Sequence, residues 1–409
     1  MAFLGLAGIL GVIFNDFLRG WLLSLKNEPS SVYIFLFLIA CILLCSISIA
    51  FYSFIRLTAY FQESIKNQPG FPETVFENRA LSRGPKIVAI GGGTGLSALL
   101  TGLKNFTANI TAVVTVTDDG GSSGILRKEL GILPPGDIRN CLCALAGTEP
   151  LMHKLFQFRF NKGSGLSGHN FGNLFIAAMH EIMGDFAKSI RSSSQILNIR
   201  GTVLPVSTDQ FNIGAHFKTG KTIIGETKLV KYKKPIASIF LEPKEIKPLK
   251  EVIEAINEAD LILLGPGSLF TSVIPNLLVP GVAEAINSHP GYRIYICNVM
   301  SQPGETDGFS ASDHVKTLMD QTPLRNLDYI AINTQMISPE LIEKYKAEGA
   351  HVVEPDIGEI LAMGIKVING NMIDLKNVVR HSPGKLARIL LNLIQPEKVP
   401  LKLVRYEEA

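Results

Sequence analysis

Between Lys86 and Asn140 the chain alternates short apolar runs with loops built almost entirely from Gly, Ser, Thr, Asp and Pro. Lys86–Ile90 is a strand-sized run, and Gly91-Gly92-Gly93-Thr94-Gly95 follows it as a turn. Leu96, Leu99, Leu100 and Leu103 then recur at helical spacing. Strand, glycine turn and helix in that order restrict the fold to an α/β sheet, doubly wound and mostly parallel (Rossmann-like). The loops at its strand ends present backbone amides to an anion. Glycine there lets phosphate approach the main chain without meeting a Cβ. The turn departs from the dinucleotide fingerprint, because Leu96 stands where its third Gly belongs, which argues against an NAD-dependent oxidoreductase.

Further loops repeat the theme. Ile110–Thr117 is a β-branched strand ending in Asp118-Asp119, placed to meet ribose hydroxyls or, as an alternative, Mg²⁺. Gly120-Gly121-Ser122-Ser123 then offers backbone and two hydroxyls, unless the segment is a solvated turn with an Asp cap. Pro134-Pro135-Gly136-Asp137 fixes a turn and caps a helix expected over Ile138–Gly147. Arg139 opposes the dipole of that first turn, so it is read either as facing a phosphate or carboxylate or as bridging to Asp118 or Asp119. Gly168-His169-Asn170 and Asn173 precede a helix expected over Leu174–Met183; His169 is a ligand contact, a general base or a structural residue. A second amide nest, Gly265-Pro266-Gly267-Ser268, follows the buried strand Asp260–Leu264. Leu269 and Phe270 after Ser268 exclude a nucleophile elbow, leaving Ser268, Thr271 and Ser272 as phosphate or sugar donors. Strand Tyr292–Asn298 leads to Asn298, Gln302, Glu305, Thr306 and Asp307, suited to sugar hydroxyls or a uracil edge, with Glu305 and Asp307 as an alternative Mg²⁺ pair. Two nests and the carboxylates beside them imply a nucleotide-diphosphate ligand.

The blocks Gly91–Ser97, Thr117–Gly124, Pro134–Cys141 (with Asn140), Gly168–Asn173, Leu264–Leu278 and Cys297–Gly308 resemble the YvcK-type gluconeogenesis factors of the CofD-like superfamily, which includes the 2-phospho-L-lactate transferases. The resemblance runs from about Lys86 to Asn333. It implies a CofD-like fold and narrows the ligand to UDP-sugars. It further implies a regulator rather than an enzyme, one that supports cell-wall precursor metabolism, cell shape and growth on gluconeogenic carbon. The transferase branch resembles the chain in its Gly-Gly-Thr-Gly turn and strand-end aspartate but lacks the Gly-Gly-Ser-Ser run. A Mg²⁺-dependent phospho-group transferase, with Asp118 or Asp119 on the metal, is the alternative. A protein partner in cell-wall synthesis and a homo-oligomer are further expectations.

The N-terminus is of a different kind. Val32–Ile55 is 24 residues without a charge, enough to span the ~30 Å hydrocarbon layer. Ala2–Leu25 is a possible second helix, interrupted by Asn15, Asp16 and Arg19; an interfacial helix is the other reading. Residues 1–60 are thus read as a membrane region, 61–85 as a Pro/Gly-broken linker, 86–395 as the ligand-binding domain and 396–409 as a tail. Within the domain, about 200–232 reads as a β-rich insertion, a lid or dimer surface. The large domain is placed in the cytoplasm at the inner membrane. Net charge is +3 with no Lys/Arg cluster, so no nucleic acid is expected. Five cysteines at unmatched spacings indicate neither a disulfide framework nor a metal site.

Overall fold

A computed structural model describes Asp16 and residues 29–66, 79–147, 150–374 and 379–393. It divides into two compact units, Met1–Glu77 and Asn78–Ala409. In the first, Pro29–Lys66 is one helix of 38 residues. Its stretch Phe37–Leu57 has mean hydropathy 2.5 over 21 residues and no burial, so it is long and apolar enough to cross a membrane. Arg56 closes that stretch with its Nε on Tyr52 Oη at 3.3 Å. The helix continues through residues 61–66, which sequence reading gave to the linker, because Phe61–Lys66 contains no Gly or Pro to stop it. The possible helix over Ala2–Leu25 lies outside the described residues apart from Asp16.

The second unit is built on seven parallel strands. They are β1 (Ile87–Gly91), β2 (Ile110–Val114), β3 (Thr202–Pro205), β7 (Leu261–Leu264), β8 (Tyr292–Ile296), β9 (Tyr329–Asn333) and β10 (Lys366–Gly370), in the order β10-β9-β8-β7-β1-β2-β3. Every residue of β1 and of β7 is buried, as sandwiching between two helical layers requires. Ile87 pairs with Ile110 on one side and Leu261 on the other. The strand order therefore reverses between β1 and β7, and that switch point is where an open α/β sheet forms a crevice.

The helix Gly93–Leu103 buries the four leucines expected of it. Gly102 is the point where it touches the helix Pro383–Asn392: a Cβ there would lie 2.0 Å from the Pro383 carbonyl oxygen. Sequence reading misplaced the insertion. Thr202–Pro205 is the edge strand of the main sheet, parallel to β2. The antiparallel insertion is instead β4 (Asn212–Phe217), β5 (Thr222–Ile224) and β6 (Ile236–Glu242), with the helix Glu226–Tyr232 between the last two. The insertion therefore runs on past residue 232, because β6 pairs with β4. Strand ends also ran short of expectation, β2 stopping at Val114 and β8 at Ile296, where the chain turns into the loops of the crevice. A last antiparallel pair, β11 (Ile373–Asp374) and β12 (Arg380–His381), completes the unit.

Because the described core of the second unit lies entirely within it, residues 78–409 expressed alone should melt cooperatively. Gly102→Val in that fragment should cost about 3 kcal/mol by forcing two packed helices apart. Chemical denaturation reads both; an unchanged midpoint for the variant would show that the two helices do not touch as described.

Candidate functional site

Two glycine loops meet at the switch point. The loop after β1 enters its helix at Gly93, where φ is +64°, a conformation glycine adopts without strain. Gly92 is the N-cap and supplies no side-chain cap, so the amides of the first turn look elsewhere for partners. Gly95 lies so close to the loop after β7 that a Cβ would sit 2.7 Å from the Pro266 oxygen. Asn298 ties in the loop after β8 by donating Nδ2–H to the Gly267 oxygen at 2.9 Å. Asn276 fixes the base, donating to the Gly91 oxygen at 3.1 Å. The loops border a cleft of about 380 Å³ lined by Gly92–Gly95, Gly267, Ser268, Ser272, Asn298 and Gln302.

The remaining sequence candidates form a second group, a polar network beside the cleft. Asp118 Oδ1 accepts from Gly120 N–H at 2.9 Å. Ser122 Oγ stands 3.2 Å from His169 Nδ1 and accepts from Asn170 N–H, while Ser123 Oγ accepts from Asn173 Nδ2–H. Arg139 donates to Asn173 Oδ1 at 3.1 Å and Asn140 Oδ1 at 2.6 Å, and its buried Nε has no partner among the described residues. Arg139 thus pairs with amides, not with Asp118 or Asp119, and the ion-pair reading falls. Gly121 opens the helix Gly121–Leu130 at φ +48°, and Gly136 packs against Ser123.

Asp137 joins the two groups. It lies inside the first turn of the helix Gly136–Leu145, whose N-cap is Pro135, so it is not the cap that sequence reading made it. Its carboxylate reaches across to Gly92, where a Cβ would lie 2.6 Å from Oδ2, and it accepts from the Gly93 amide. Burial, then the neighbouring Asp118, push its pKa up to about 6 against the pull of the Gly93 amide and Arg139.

Several candidates already carry structural bonds. Asp119 Oδ1 accepts from the Thr227 amide at 2.8 Å and from its hydroxyl, tying the β2 loop to the insertion. Ser268 donates to Glu305 Oε2 and accepts from the Thr271 amide at 3.1 Å. Thr306 accepts from the Gln302 amide, and Asp307 from the Gly304 amide at 2.7 Å. Glu305 is pushed up to about 6, chiefly by burial, with Asp307 adding to it and Ser268 opposing. Among the described residues no group of three or more His, Cys, Asp or Glu stands close enough to hold a metal. Asp118, Asp119, Asp137 and Asp307 each accept from a backbone amide; Asp118 and Asp137 lie close enough to act on one another and are the pair that would share Mg²⁺ with phosphate oxygens.

Two parts of the chain contribute without a sequence signal. Arg380 and His381 on β12 line the cleft opposite the glycine loops, with Tyr345 and Val379. Arg380 is exposed, and no described residue pairs with its guanidinium. A two-residue strand leaves no periodicity to mark it. The other is Glu226 of the insertion, whose Oε2 accepts from Thr117 Oγ1 at 3.2 Å. Burial first, then Asp118 and Asp137, hold Glu226 well above the usual carboxylate range.

With this geometry in view, comparisons with known proteins agree. Residues 87–373 match the family described as 2-phospho-L-lactate transferase CofD. The chain is 49% identical to the gluconeogenesis factor of Bacillus subtilis over 312 residues, 76% of this chain and 98% of that one. A Clostridium acetobutylicum protein is 44% identical over 405 residues, 96% of this chain and 89% of its own length. The crystal structure of a UPF0052 family member from Bacillus halodurans is similar with a TM-score of 0.73 at 48% identity, covering 76% of this chain and 99% of that one.

The raised carboxyls give a testable pH dependence. Protons bind Asp137 and Glu305 more tightly folded than unfolded, so their contribution is complete below pH ~4 and lost as pH rises through about 6. Stability of residues 78–409 should therefore fall between about pH 4 and 7 by a few kcal/mol at most. Asp137→Asn and Glu305→Gln should each flatten that slope in urea titrations; parallel slopes for variants and parent would place both carboxylates in water.

Proposed function

Since this chain belongs to the CofD-like family, we propose that it binds a UDP-sugar in the switch-point cleft and acts as a regulator of the gluconeogenesis factor type. The observation that carries the reading is the backbone contact of the two glycine loops at Gly95 and Pro266. It brings the backbones of the two loops together, and a diphosphate, with two anionic groups, is a ligand that could use amides from both. Arg380 supplies a guanidinium at the open side of the same cleft, suited to phosphate. Asn298 and Gln302 can address sugar hydroxyls or the uracil edge. The bound UDP-sugar would report cell-wall precursor supply and support cell shape and growth on gluconeogenic carbon. The apolar helix Phe37–Leu57 would tether the domain to the cytoplasmic face of the inner membrane.

A transferase is the second reading, favoured by the closeness of Asp118 and Asp137. With a phosphate-bearing ligand present, Mg²⁺ held by these two would offset charge during transfer of a phospho group. Titration calorimetry separates the two. A regulator takes up UDP-N-acetylglucosamine or UDP-glucose saturably, with the nucleotide recovered intact; release of UMP or UDP with Mg²⁺ would favour the transferase.

Gly93→Val should abolish UDP-sugar binding, because the branched side chain projects into the open cleft at a positive φ. Arg380→Gln should weaken binding about tenfold while the melting temperature holds, the loss of one charge-assisted bond. At 100 times Kd the ligand should stabilise the parent by about 2.7 kcal/mol. Wild-type affinity in a folded Gly93→Val protein would remove the β1 loop from the site.

A further inference from the structure

The helix Pro150–Gln157 turns Phe156 into the core and leaves Leu151, Leu155 and the following Phe158 on one face at i, i+4, i+7 spacing. They are 76%, 40% and 49% exposed. The chain then forms a hairpin that closes through the Phe160 amide to the His169 oxygen and the Gly168 amide to the Phe160 oxygen. Leu166 is 45% exposed near its tip. Exposed single leucines are ordinary, but four large apolar side chains on one helix and its adjoining hairpin are not.

Within the segment itself the charge has one sign, with Glu149 and Glu181 bounding it. From Pro150 to His180 the sequence holds no Asp or Glu, while Lys154, Arg159 and Lys162 stand among the apolar residues. Beside the helix a cavity of about 380 Å³ is lined by Lys104, His153 and Lys154, with the Cys143 thiol and Ala146 at its wall. Lys104 donates to the Ala146 oxygen at 2.9 Å, and no carboxylate is among the described residues lining the cavity. Burial, then Arg200, pull the Lys104 ammonium below the ordinary lysine range.

We infer that the Pro150–Leu166 face docks on an anionic lipid surface, its Leu and Phe side chains entering the interface and Lys154 meeting headgroup phosphates at the mouth of the Lys104 cavity. Apolar residues interleaved with cations are what such a surface selects. A second copy of the chain would bring like charges together at this face, which disfavours self-association as the occupant. The hairpin that carries Leu166 ends at His169 and Asn170, so lipid contact and the polar network beside the cleft share one short segment.

The test uses the full chain with Trp21→Phe and Leu155→Trp, since Trp21 is the single tryptophan of the sequence. The protein is reconstituted into phosphatidylcholine vesicles with or without phosphatidylglycerol, and emission is quenched with brominated lipid. Quenching and a blue shift are expected in the anionic vesicles. Lys154→Glu with Lys162→Glu should reduce them strongly, as each basic residue at such a surface changes partitioning about fivefold. Carbonate extraction of the same vesicles scores insertion of the N-terminal helix separately. Quenching absent from both vesicles, or equal in both, overturns the inference. So does a blue shift in detergent that grows with protein concentration, which would give the face to a second copy.

Discussion

The approach of the β1 loop to the β7 loop is the constraint on which the rest of the cleft depends. Gly95 has no space for a side chain against Pro266, and Gly267 stands with its would-be Cβ 3.3 Å from the Gly92 oxygen. Two backbones packed at this distance cannot shift independently, so the amides they carry are fixed before any ligand arrives. Such preorganisation reduces the ordering cost of binding. Asn276 and Asn298, each donating to a carbonyl of these loops, hold the arrangement from below and from the side.

Around this rigid centre the protein gathers acids where an anionic ligand is proposed to sit. Asp137, Glu226 and Glu305 are raised chiefly by burial, with Asp118 adding to the first two. A protonated carboxyl donates a hydrogen bond, so below about pH 6 Asp137 and Glu305 can face hydroxyls or phosphate with less repulsion than their formal charges suggest. Arg139 and Arg380 supply positive charge on opposite flanks. The insertion belongs to this balance: it delivers Glu226, and Asp119 secures it through Thr227.

How much of this was legible depended on whether a residue's role was local. The β1 strand, its glycine turn and the four buried leucines after it are periodic features of one short segment, and the sequence disclosed them. So were the loops that converge, because each sits at the end of an apolar run. Partner choice was less legible. Asp119, Ser268 and Thr306 stand in strings of polar residues that say nothing of their internal bonds, and Ser268 both lines the cleft and donates to Glu305. Asp137 looks like a cap from its place after Pro-Pro-Gly, but Pro135 takes that position and the carboxylate crosses to Gly92. Arg380 was invisible because its place in the cleft is set by β12, a strand of two residues that no pattern announces. The edge strand β3 was lost among the antiparallel strands that follow, since a four-residue run says nothing of its neighbour.

The placement of β1 has a consequence for how the protein is made. One flank of this strand pairs with β2 almost as soon as both leave the ribosome. The other waits for β7, a separation of 174 residues measured from Lys86 to Asp260. At roughly 5–20 residues per second, the second partner arrives about 9 to 35 s later. During that interval a fully buried strand of the sheet has an open edge, and an open edge invites pairing with other chains. The helix Gly93–Leu103 waits longer still, its Gly102 face uncovered until Pro383 has been added. Nascent chains of this kind have a long vulnerable period before release, and chaperone demand should rise with any slowing of translation between β2 and β7.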